Sequence, residues 1–525
     1  MLCWDGTRLQ LSVIFLFLTS LFSTKGTYGD ESGEKCEKLA AAITKNDKET
    51  RLEDVSSLSG KWVSERCEIR SGPEFLLRSY VFSKNDTFHI TQYFYRDESC
   101  STPLYALNAW GKIQFHGPSW VTPGATAGDF TLSRVAILAQ NDRAAEDLWA
   151  RFNSSCPSLG RRKWKPYKEY NILDEPEILS NSAPIHGFKF TDGYPRKKYI
   201  PSDSIGMSRQ AAFSTTVEDS TCIQNLHPLF NELQLVRIQK RPPGPLNPRF
   251  FRQEMLLGDI RSRFENRSQN QPTVLHTPLI RVEQAQGCEV CRAIIRATER
   301  TFPQLNAQPR LPIYLGGEWV SGHCETRPLG TFLKRRLQVI ANTSTWQVDY
   351  RFYSDMACSA PTLTATASGY FSTGLPSMAV QGGTEFDFHV QKAYIMLFDE
   401  GLVHTLQNDP RCGTPGTWRT GVMHDLAPSN GCVTVGIVVP TTVYELVRLE
   451  INSNGMPLLF MGQPDPDDAP VSVRLRPTSY QPPLIQCASQ LPPYTHFITA
   501  RSSSSRRQIT CALVFFQLIY VICNV

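Results

Sequence analysis

The stretch Gly60-Lys-Trp-Val-Ser-Glu-Arg-Cys-Glu-Ile-Arg decides the fold, because it recurs as Gly317-Glu-Trp-Val-Ser-Gly-His-Cys-Glu-Thr-Arg. The correspondence continues downstream, where Cys100-Ser-Thr-Pro is matched by Cys358-Ser-Ala-Pro. An internal repeat of this kind means that one structural unit is written twice. The chain has 525 residues, and at about 150 residues per domain that length alone allows two to four domains. The repeat selects two domains, over residues 30–288 and 289–490.

Apolar and polar residues alternate in the sequence that follows each copy of the repeat. This period of two is typical of half-buried antiparallel strands, and many short strands separated by Gly, Pro and Asn predict a sandwich or a barrel. The Gly-x-Trp tripeptide resembles the opening motif of lipocalin-type barrels, in which the Trp closes one end. We therefore expect a mainly β fold of two tandem lipocalin-like antiparallel barrels closed by Trp62 and Trp319. A short helix-like segment precedes each strand set, at Cys36 and at Cys291.

The alternating pattern also predicts which side chains point into each barrel. A closed barrel of about eight strands can hold one small ligand, and an aromatic and aliphatic interior favours an apolar one. The other interpretation is that these side chains simply fill the core. The candidate lining residues are Phe88, Ile90, Phe94, Trp346, Val348, Tyr350 and Phe352.

Fifteen cysteines indicate an oxidising compartment. Cys3 falls in an N-terminal leader, and Cys511 and Cys523 fall in a C-terminal tail, so the others form two sets of six. Six cysteines allow 15 connectivities, and we expect the pairing that joins matching contexts within each repeat. The expected disulfides are Cys67–Cys100, Cys324–Cys358, Cys156–Cys222, Cys412–Cys432, Cys36–Cys288 and Cys291–Cys487.

Both ends of the chain predict passage to the cell surface. Residues 1–29 match a signal peptide with an apolar core at Leu11–Phe22. A polar linker, 491–508, precedes a hydrophobic segment, 509–525, which suits either a single type I span or the removed tail of a lipid-anchored protein. The first repeat carries extra chain over about 158–218, whose basic clusters and prolines predict a surface insertion. We expect glycosylation at Asn85, Asn153, Asn266 and Asn342, which begin Asn-x-Ser/Thr sequons.

Composition and motifs argue against catalysis and against nucleic-acid binding. The formal net charge is only +5, too small to indicate a polyanionic partner. The sequence contains no Gly-x-Ser-x-Gly elbow, His-Glu-x-x-His helix or phosphate loop. Cys288-Glu-Val-Cys291 has the spacing of a redox or zinc pair, but each of its cysteines has a counterpart in the other repeat. We expect no enzyme activity, no metal and no cofactor.

Four longer motifs resemble one known family. They are Gly60-x-Trp-Val-Ser-x-x-Cys-Glu-Ile-Arg-Ser-Gly-Pro-Glu-Phe, Asn231-Glu-Leu-Gln-Leu, Gly382-Gly-Thr-Glu-Phe and Thr478-Ser-Tyr-Gln-Pro-Pro-Leu-Ile-Gln-Cys-Ala-Ser. By these motifs, the chain resembles the adenomatosis polyposis coli down-regulated family of membrane-tethered glycoproteins that inhibit Wnt signalling. The similarity covers most of residues 31–490. It fails over 158–218 and in the tail, which lacks the basic end of a type I span.

The resemblance implies two tandem β-barrels and binding of Wnt ligands and their low-density-lipoprotein-receptor-related co-receptors on the extracellular side of the cell membrane. Wnt ligands carry an unsaturated acyl chain, and burying each CH₂ group contributes about 0.8 kcal/mol. An apolar barrel could therefore sequester that chain. Two other functions stay open, an adhesion or receptor-binding module with filled barrels and a carrier of small lipids. The sequence also leaves open a homodimer.

Overall fold

The computed structural model describes residues 28–489, apart from 156–161, 175–226, 249, 261–271, 308–309, 312, 373, 453 and 465–469. The expected signal peptide, most of the expected insertion, the polar linker and the hydrophobic tail therefore lie largely outside the described residues. None of the described helices is long and apolar enough to cross a membrane.

The first repeat forms a closed barrel of eight antiparallel strands. Hydrogen-bonded pairs run in the order β9-β10-β11-β2-β4-β5-β6-β7, and a short β7–β9 ladder closes the ring. Strands β1, β3 and β8 extend the sheet beside β9, β4 and β7. The elements are α1 (Tyr28–Glu49), β1 (Arg51–Glu53), β2 (Gly60–Val63), β3 (Glu68–Arg70), β4 (Glu74–Phe82), β5 (Thr87–Tyr95), β6 (Pro103–Pro118), β7 (Thr126–Ala139), α2 (Asp142–Ser155), β8 (Glu169–Asp174), β9 (Leu235–Arg241), β10 (Arg252–Leu257) and β11 (Leu279–Arg281).

The second repeat forms a second closed barrel with the same strand order. Its ring is β12-β24-β23-β22-β18-β16-β15-β14, closed by pairing of β14 with β12. The prediction of two tandem barrels is confirmed. The elements are α3 (Glu289–Arg296), β12 (Gly317–Ser321), β13 (Glu325–Arg327), β14 (Thr331–Ile340), β15 (Thr345–Tyr353), β16 (Pro361–Phe371), β17 (Leu375–Pro376), β18 (Thr384–Leu397), α4 (Glu400–Leu406), β19 (Met423–Asp425), β20 (Gly431–Cys432), β21 (Ile437–Val438), β22 (Thr441–Ile451), β23 (Pro457–Met461) and β24 (Leu484–Ser489).

The glycine of the repeated Gly-x-Trp motif is required by the backbone. Gly60 and Gly317 have φ angles of 138° and 127°, a region that residues with a side chain rarely adopt. A Cβ atom on Gly317 would also lie 2.2 Å from the carbonyl oxygen of Ala488 on the neighbouring strand β24. Each barrel therefore begins at a position that only glycine fits.

The two helices that precede the barrels are exchanged between them. Helix α1 comes before the first barrel but packs on the second, where Ile43 joins a buried cluster with Val320 and Ile485. Helix α3 comes before the second barrel but packs on the first, where Ile294 joins a buried cluster with Val63. Each barrel is thus covered by a helix that the sequence places ahead of the other barrel.

The exchange changes two of the expected disulfides. Cys36 pairs with Cys487 and Cys288 pairs with Cys291, so the expected Cys36–Cys288 and Cys291–Cys487 pairs are wrong. Because α3 follows directly after the first barrel, it stays on that barrel and its Cys291 meets Cys288. Only α1 then remains to cover the second barrel. The expected pairs Cys67–Cys100, Cys324–Cys358 and Cys412–Cys432 are confirmed, whereas Cys156 and Cys222 lie outside the described residues.

Part of the expected surface insertion belongs to the first barrel. Trp164 is 6% exposed, and its ring stacks on Phe152 at 5.4 Å and on Tyr170 at 4.5 Å between ring centroids. Tyr170 lies on β8, which pairs with β7. The prediction of a solvated loop from residue 158 onward is therefore wrong for 162–174, because these aromatic rings pack against one another and on the barrel.

Candidate ligand site in the second barrel

The side chains predicted from alternation do face the barrel interiors. Phe88, Ile90 and Phe94 belong to the buried core of the first barrel. Trp346 and Val348 belong to the core of the second barrel, and Tyr350 packs against it with part of its surface accessible. Phe352, which is partly buried, lies on the same face of β15 by the alternation of that strand.

The two repeated tryptophans occupy matching places in the cores. Trp62 and Trp319 are almost completely buried. The indole Nε1 of Trp62 donates a hydrogen bond to the carbonyl oxygen of Leu58 at 2.7 Å, and that of Trp319 donates to Leu315 at 2.9 Å. Each ring therefore ties the segment ahead of the first strand of its barrel to the interior.

A 3₁₀ helix fills part of the interior of the first barrel, whereas the second barrel has a β-strand at the corresponding place. A 3₁₀ helix, His227–Gln234, precedes β9 and inserts Phe230 and Leu233 into the core. In the second barrel, the strand that corresponds to β9 is β22, which runs from Thr441 to Ile451. It begins well before Val447, the first residue that pairs with β23. Among its described residues, the second barrel has no 3₁₀ helix at this place, and the segment between β18 and β22 instead contributes Leu406, Trp418 and Leu426 to its core.

One pair of matched alanines shows the difference between the interiors. Ile90 pairs with Ala109 across β5 and β6, and Val348 pairs with Ala367 across β15 and β16. Ala109 is 0% exposed, whereas Ala367 is partly exposed although it points inward. Because both residues are alanine, the difference must come from what surrounds them. The first interior is packed and the second retains free space.

Other inward positions agree with this difference. Leu107 and Tyr80 of the first barrel correspond, through their strand partners, to the smaller Ala365 and Leu337 of the second. Several apolar side chains that pack against the second core are only partly buried, and they include Leu363, Ala367, Phe371, Val443 and Leu449. The second barrel therefore offers an apolar interior with room for an apolar ligand.

Three polar side chains also face this interior, and we call them the polar cluster of the second barrel: Arg335, Tyr350 and Glu445. Arg335 pairs with Tyr350 across β14 and β15, and Glu445 pairs with the core residue Phe386 across β18 and β22. Arg335 donates to Oε1 of Glu325 at 2.9 Å and to the carbonyl oxygen of Pro482 at 2.6 Å. The otherwise apolar interior thus contains one localised polar region.

Burial sets the protonation behaviour of this cluster. Loss of solvation raises the pKa of Glu445 to about 7, although its Oε1 accepts hydrogen bonds from the backbone N–H groups of Leu446 and Gly462 at 3.0 and 2.7 Å. Arg335 also acts to lower that pKa. Burial likewise raises the pKa of Tyr350. Glu445 therefore changes charge near neutral pH while the Tyr350 hydroxyl stays protonated.

The sequence-based prediction missed Arg335 and Glu445, which carry charge on inward faces. A signal for Arg335 was present, because it stands between Leu333 and Leu337 in an apolar alternation, and the first repeat places Arg78 at the matching position. A charged residue at an inward position in both copies indicates a buried polar cluster. Glu445 has no such counterpart and could be found only from the strand pairing.

A second concave surface lies between the barrels. This cleft has a volume of about 1260 Å³ and is lined by residues of both repeats. Ion pairs cross it, with Arg66 of the first repeat 3.6 Å from Glu450 of the second and Arg241 3.1 Å from Asp47 of α1. The two repeats therefore meet through these ion pairs and also through a buried apolar cluster, in which Val380 and Leu446 of the second repeat pack with Phe75 and Leu77 of the first.

The remaining predicted sites lie at the surface or in disulfides. Asn85, Asn153 and Asn342 are exposed, as an attached glycan requires, and Asn266 lies outside the described residues. The Cys288-Glu-Val-Cys291 segment forms a disulfide at the start of α3, where the Sγ atom of Cys288 accepts a hydrogen bond from the N–H of Cys291 at 3.0 Å. That disulfide serves as the counterpart of Cys36–Cys487 on the other barrel.

Comparison with protein-family models shows a family whose model matches the chain twice. The model described as adenomatosis polyposis coli down-regulated 1 matches residues 35–306 and again residues 307–506. Together these matches cover most of the chain, and each contains one of the two barrels.

Proposed function

Because the chain belongs to the adenomatosis polyposis coli down-regulated family, we propose that it lowers Wnt signalling at the cell surface by binding Wnt ligands and their low-density-lipoprotein-receptor-related co-receptors. The second barrel holds the acyl chain of the Wnt ligand and withholds it from the receptor. The protein acts by binding and not by catalysis. It stands on the extracellular side of the membrane, held by a type I span or by a lipid anchor.

The unequal interiors of the two barrels support this mechanism. Ala109 is enclosed in the first barrel, but the matched Ala367 keeps accessible surface in the second. The free space lies among apolar walls, and burying ten CH₂ groups there would contribute about 8 kcal/mol. A contribution of that size offsets much of the cost of association, about 4–15 kcal/mol, and a ligand without the acyl chain lacks it.

The first barrel supports a different part of the proposal. Its interior is filled by Phe230, Leu233 and the other residues of its core, so it can contribute only its outer surface. The cleft between the barrels, with a volume of about 1260 Å³, adds a concave surface whose lining includes the charged residues Arg66, Arg241 and Glu450. Binding of co-receptor proteins uses these outer surfaces, while the acyl chain uses the second interior.

A binding assay with a Wnt-derived peptide, prepared with and without its acyl chain, tests the proposal. The full-length protein should bind the acylated peptide much more tightly than the bare peptide. Ala367→Phe fills the second interior and should abolish this preference, whereas Thr366→Phe, on the opposite face of β16, should keep it. Equal binding of the two peptides by the unmodified protein would exclude acyl capture.

Two alternatives predict other results in the same assay. A receptor-binding or adhesion module that uses only outer surfaces would bind both peptides equally and would be unaffected by Ala367→Phe. A carrier of small lipids would bind a free lipid but would show no affinity for the acylated peptide. The filled interior of the first barrel is what the adhesion function expects of both barrels, and the second barrel differs from it.

A further inference from the structure

The first barrel contains a buried carboxylate that accepts hydrogen bonds from four side chains. Glu232, on the 3₁₀ helix, is 0% exposed. Its Oε2 accepts a hydrogen bond from Nη1 of Arg78 at 3.1 Å, and its Oε1 accepts one from Nε2 of Gln92 at 3.2 Å. Arg70 donates to the same carboxylate at 2.5 Å, and the hydroxyl of Tyr80 also donates to it.

The second barrel repeats the two arginine donors and places Tyr350 at the position of Gln92 and Leu337 at that of Tyr80, but it has no described residue at the place of this carboxylate. Strand pairing shows that Arg335 corresponds to Arg78, since these residues lie opposite Tyr350 and Gln92 respectively. Each arginine also binds the same internal partners, because Nε of Arg78 donates to Glu68 at 3.0 Å and Nε of Arg335 donates to Glu325 at 2.9 Å. The arginines and their internal partners therefore match between the two sites, and no described residue of the second barrel takes the place of Glu232.

The missing carboxylate leaves donors available in the second barrel. Among the described residues, Nη1 of Arg335 and the hydroxyl of Tyr350 make no hydrogen bond, whereas Arg78 and Gln92 both bind Glu232. The nearest candidate replacement, Glu445, directs its Oε1 to the N–H groups of Leu446 and Gly462. No described carboxylate thus bridges the arginine and the residue opposite it.

The charge balance shows the same deficit. In the first barrel the guanidinium groups of Arg70 and Arg78 face the carboxylates of Glu68 and Glu232. In the second barrel the matching Arg327 and Arg335 share the carboxylate of Glu325, at 2.6 and 2.9 Å, and among the described residues Glu445 forms no ion pair with either arginine. Buried charges are favourable only when they are paired and hydrogen-bonded. An anionic group on a ligand would restore the balance that Glu232 provides in the first barrel.

We propose that the second barrel binds a long-chain monocarboxylate whose carboxylate occupies the place that Glu232 takes in the first barrel, between Arg335 and Tyr350. Its hydrocarbon chain lies along the apolar wall formed by Val348, Ala367 and the other inward residues. This inference rests on the proposed function, since it assigns a head-group site to the same interior. It makes a free fatty acid a competitor of the acylated peptide, whose ester carries no charge.

The test uses the full-length protein, stripped of lipid and kept in solution by an amphipathic polymer. Hexadecenoate and its methyl ester are titrated separately, with the polymer alone as the blank. A carboxylate that accepts charge-assisted hydrogen bonds should bind about tenfold or more tightly than the ester. Hexadecenoate should also displace the acylated Wnt peptide at lower concentration than the methyl ester does.

Variants assign that preference to the named atoms. Tyr350→Phe removes only the hydroxyl group and should weaken hexadecenoate binding about tenfold while leaving the methyl ester unchanged. Tyr353→Phe, on the opposite face of the same strand, is the matched control and should change neither. Arg335→Lys keeps the charge but loses the guanidinium fork, so it should also weaken only the carboxylate. Because Arg335 binds Glu325 as well, its variant is interpreted only if its melting temperature is unchanged, and Tyr350→Phe decides the question otherwise.

The outcomes separate the two proposals. Equal affinity for hexadecenoate and its ester, unchanged by Tyr350→Phe, would overturn the head-group site and leave acyl capture intact. Failure of both ligands and of the acylated peptide to bind would overturn acyl capture and the head-group site together. A carboxylate preference that Tyr350→Phe removes and Tyr353→Phe keeps supports the site as proposed.

Discussion

Replacing Glu232 by Gln removes the only described carboxylate that bridges Arg70 and Arg78 in the first barrel. Four hydrogen bonds end on this group, from Arg70, Arg78, Gln92 and Tyr80. The Gln amide would keep one acceptor but would turn its NH₂ group toward guanidinium donors, and the buried cluster would gain a net positive charge. Removing one partner of a buried ion pair costs about 3–5 kcal/mol, so we expect a loss of that size in the first barrel.

Native-state hydrogen exchange measures this loss locally, which matters because a chain with two barrels need not unfold in one step. The free energy of opening measured for amides in β4 and β5 should fall by about 3–5 kcal/mol. Amides in β14 and β15 of the second barrel should keep their opening free energies and serve as an internal reference. Glu146→Gln is the matched control, because Glu146 pairs with Lys163 at 3.7 Å and both side chains are exposed, and such pairs contribute about 0–1 kcal/mol. A loss below about 1 kcal/mol for Glu232→Gln, within the range of an exposed pair, would refute the assignment of Glu232 as the counter-ion and, with it, the argument that the second barrel lacks one.

Three further predictions concern the second barrel. Because burial raises the folded-state pKa of Glu445 from 4.5 to about 7, its protonated form stabilises the fold below about pH 4.5, and this contribution is lost as the pH rises through 7. Denaturant unfolding should therefore show the wild type losing about 3 kcal/mol relative to Glu445→Gln between pH 4.5 and 8, and parallel pH profiles would contradict this assignment. Ala367→Phe should abolish capture of the acylated peptide in the binding assay while Thr366→Phe preserves it, and retention by both would place the ligand elsewhere. Cys36→Ser should destabilise the second barrel by about 2–5 kcal/mol, seen as lost amide protection in β24, and non-reducing peptide maps of the wild type should join Cys36 to Cys487.

The repeat and the alternation allowed much of the fold to be predicted. A period of two assigns the inward faces without any knowledge of packing, and Phe88, Ile90, Trp346 and Val348 do lie in the two cores. The positions of the two glycines and tryptophans follow from local backbone geometry, which both copies share. Local patterns of this kind depend only on residues that are close in sequence, so the sequence alone predicts them.

Other features depend on contacts between distant residues. The partners of Cys36 and Cys291 follow from which barrel each helix covers, and both arrangements satisfy the same sequence pattern. Trp164 looked like part of a basic loop because its stacking partners, Phe152 and Tyr170, lie on other elements. The difference in free space between the two interiors depends on the 3₁₀ helix around Glu232. No hydrophobic periodicity in the sequence indicates that this helix inserts into the core.

The disulfide between α1 and β24 also sets the order of events during biosynthesis. Cys36 and Cys487 are 451 residues apart, and at about 5–20 residues per second their synthesis is separated by roughly 20–90 s. During that interval the thiol of Cys36 in α1 has no Cys487 to pair with. The first barrel, in contrast, can form and pack against α3 as soon as that helix has been synthesised. The last bond thus forms only on a chain translated through both repeats, so a prematurely terminated product would display a free Cys36 to the thiol-dependent quality control of an oxidising compartment.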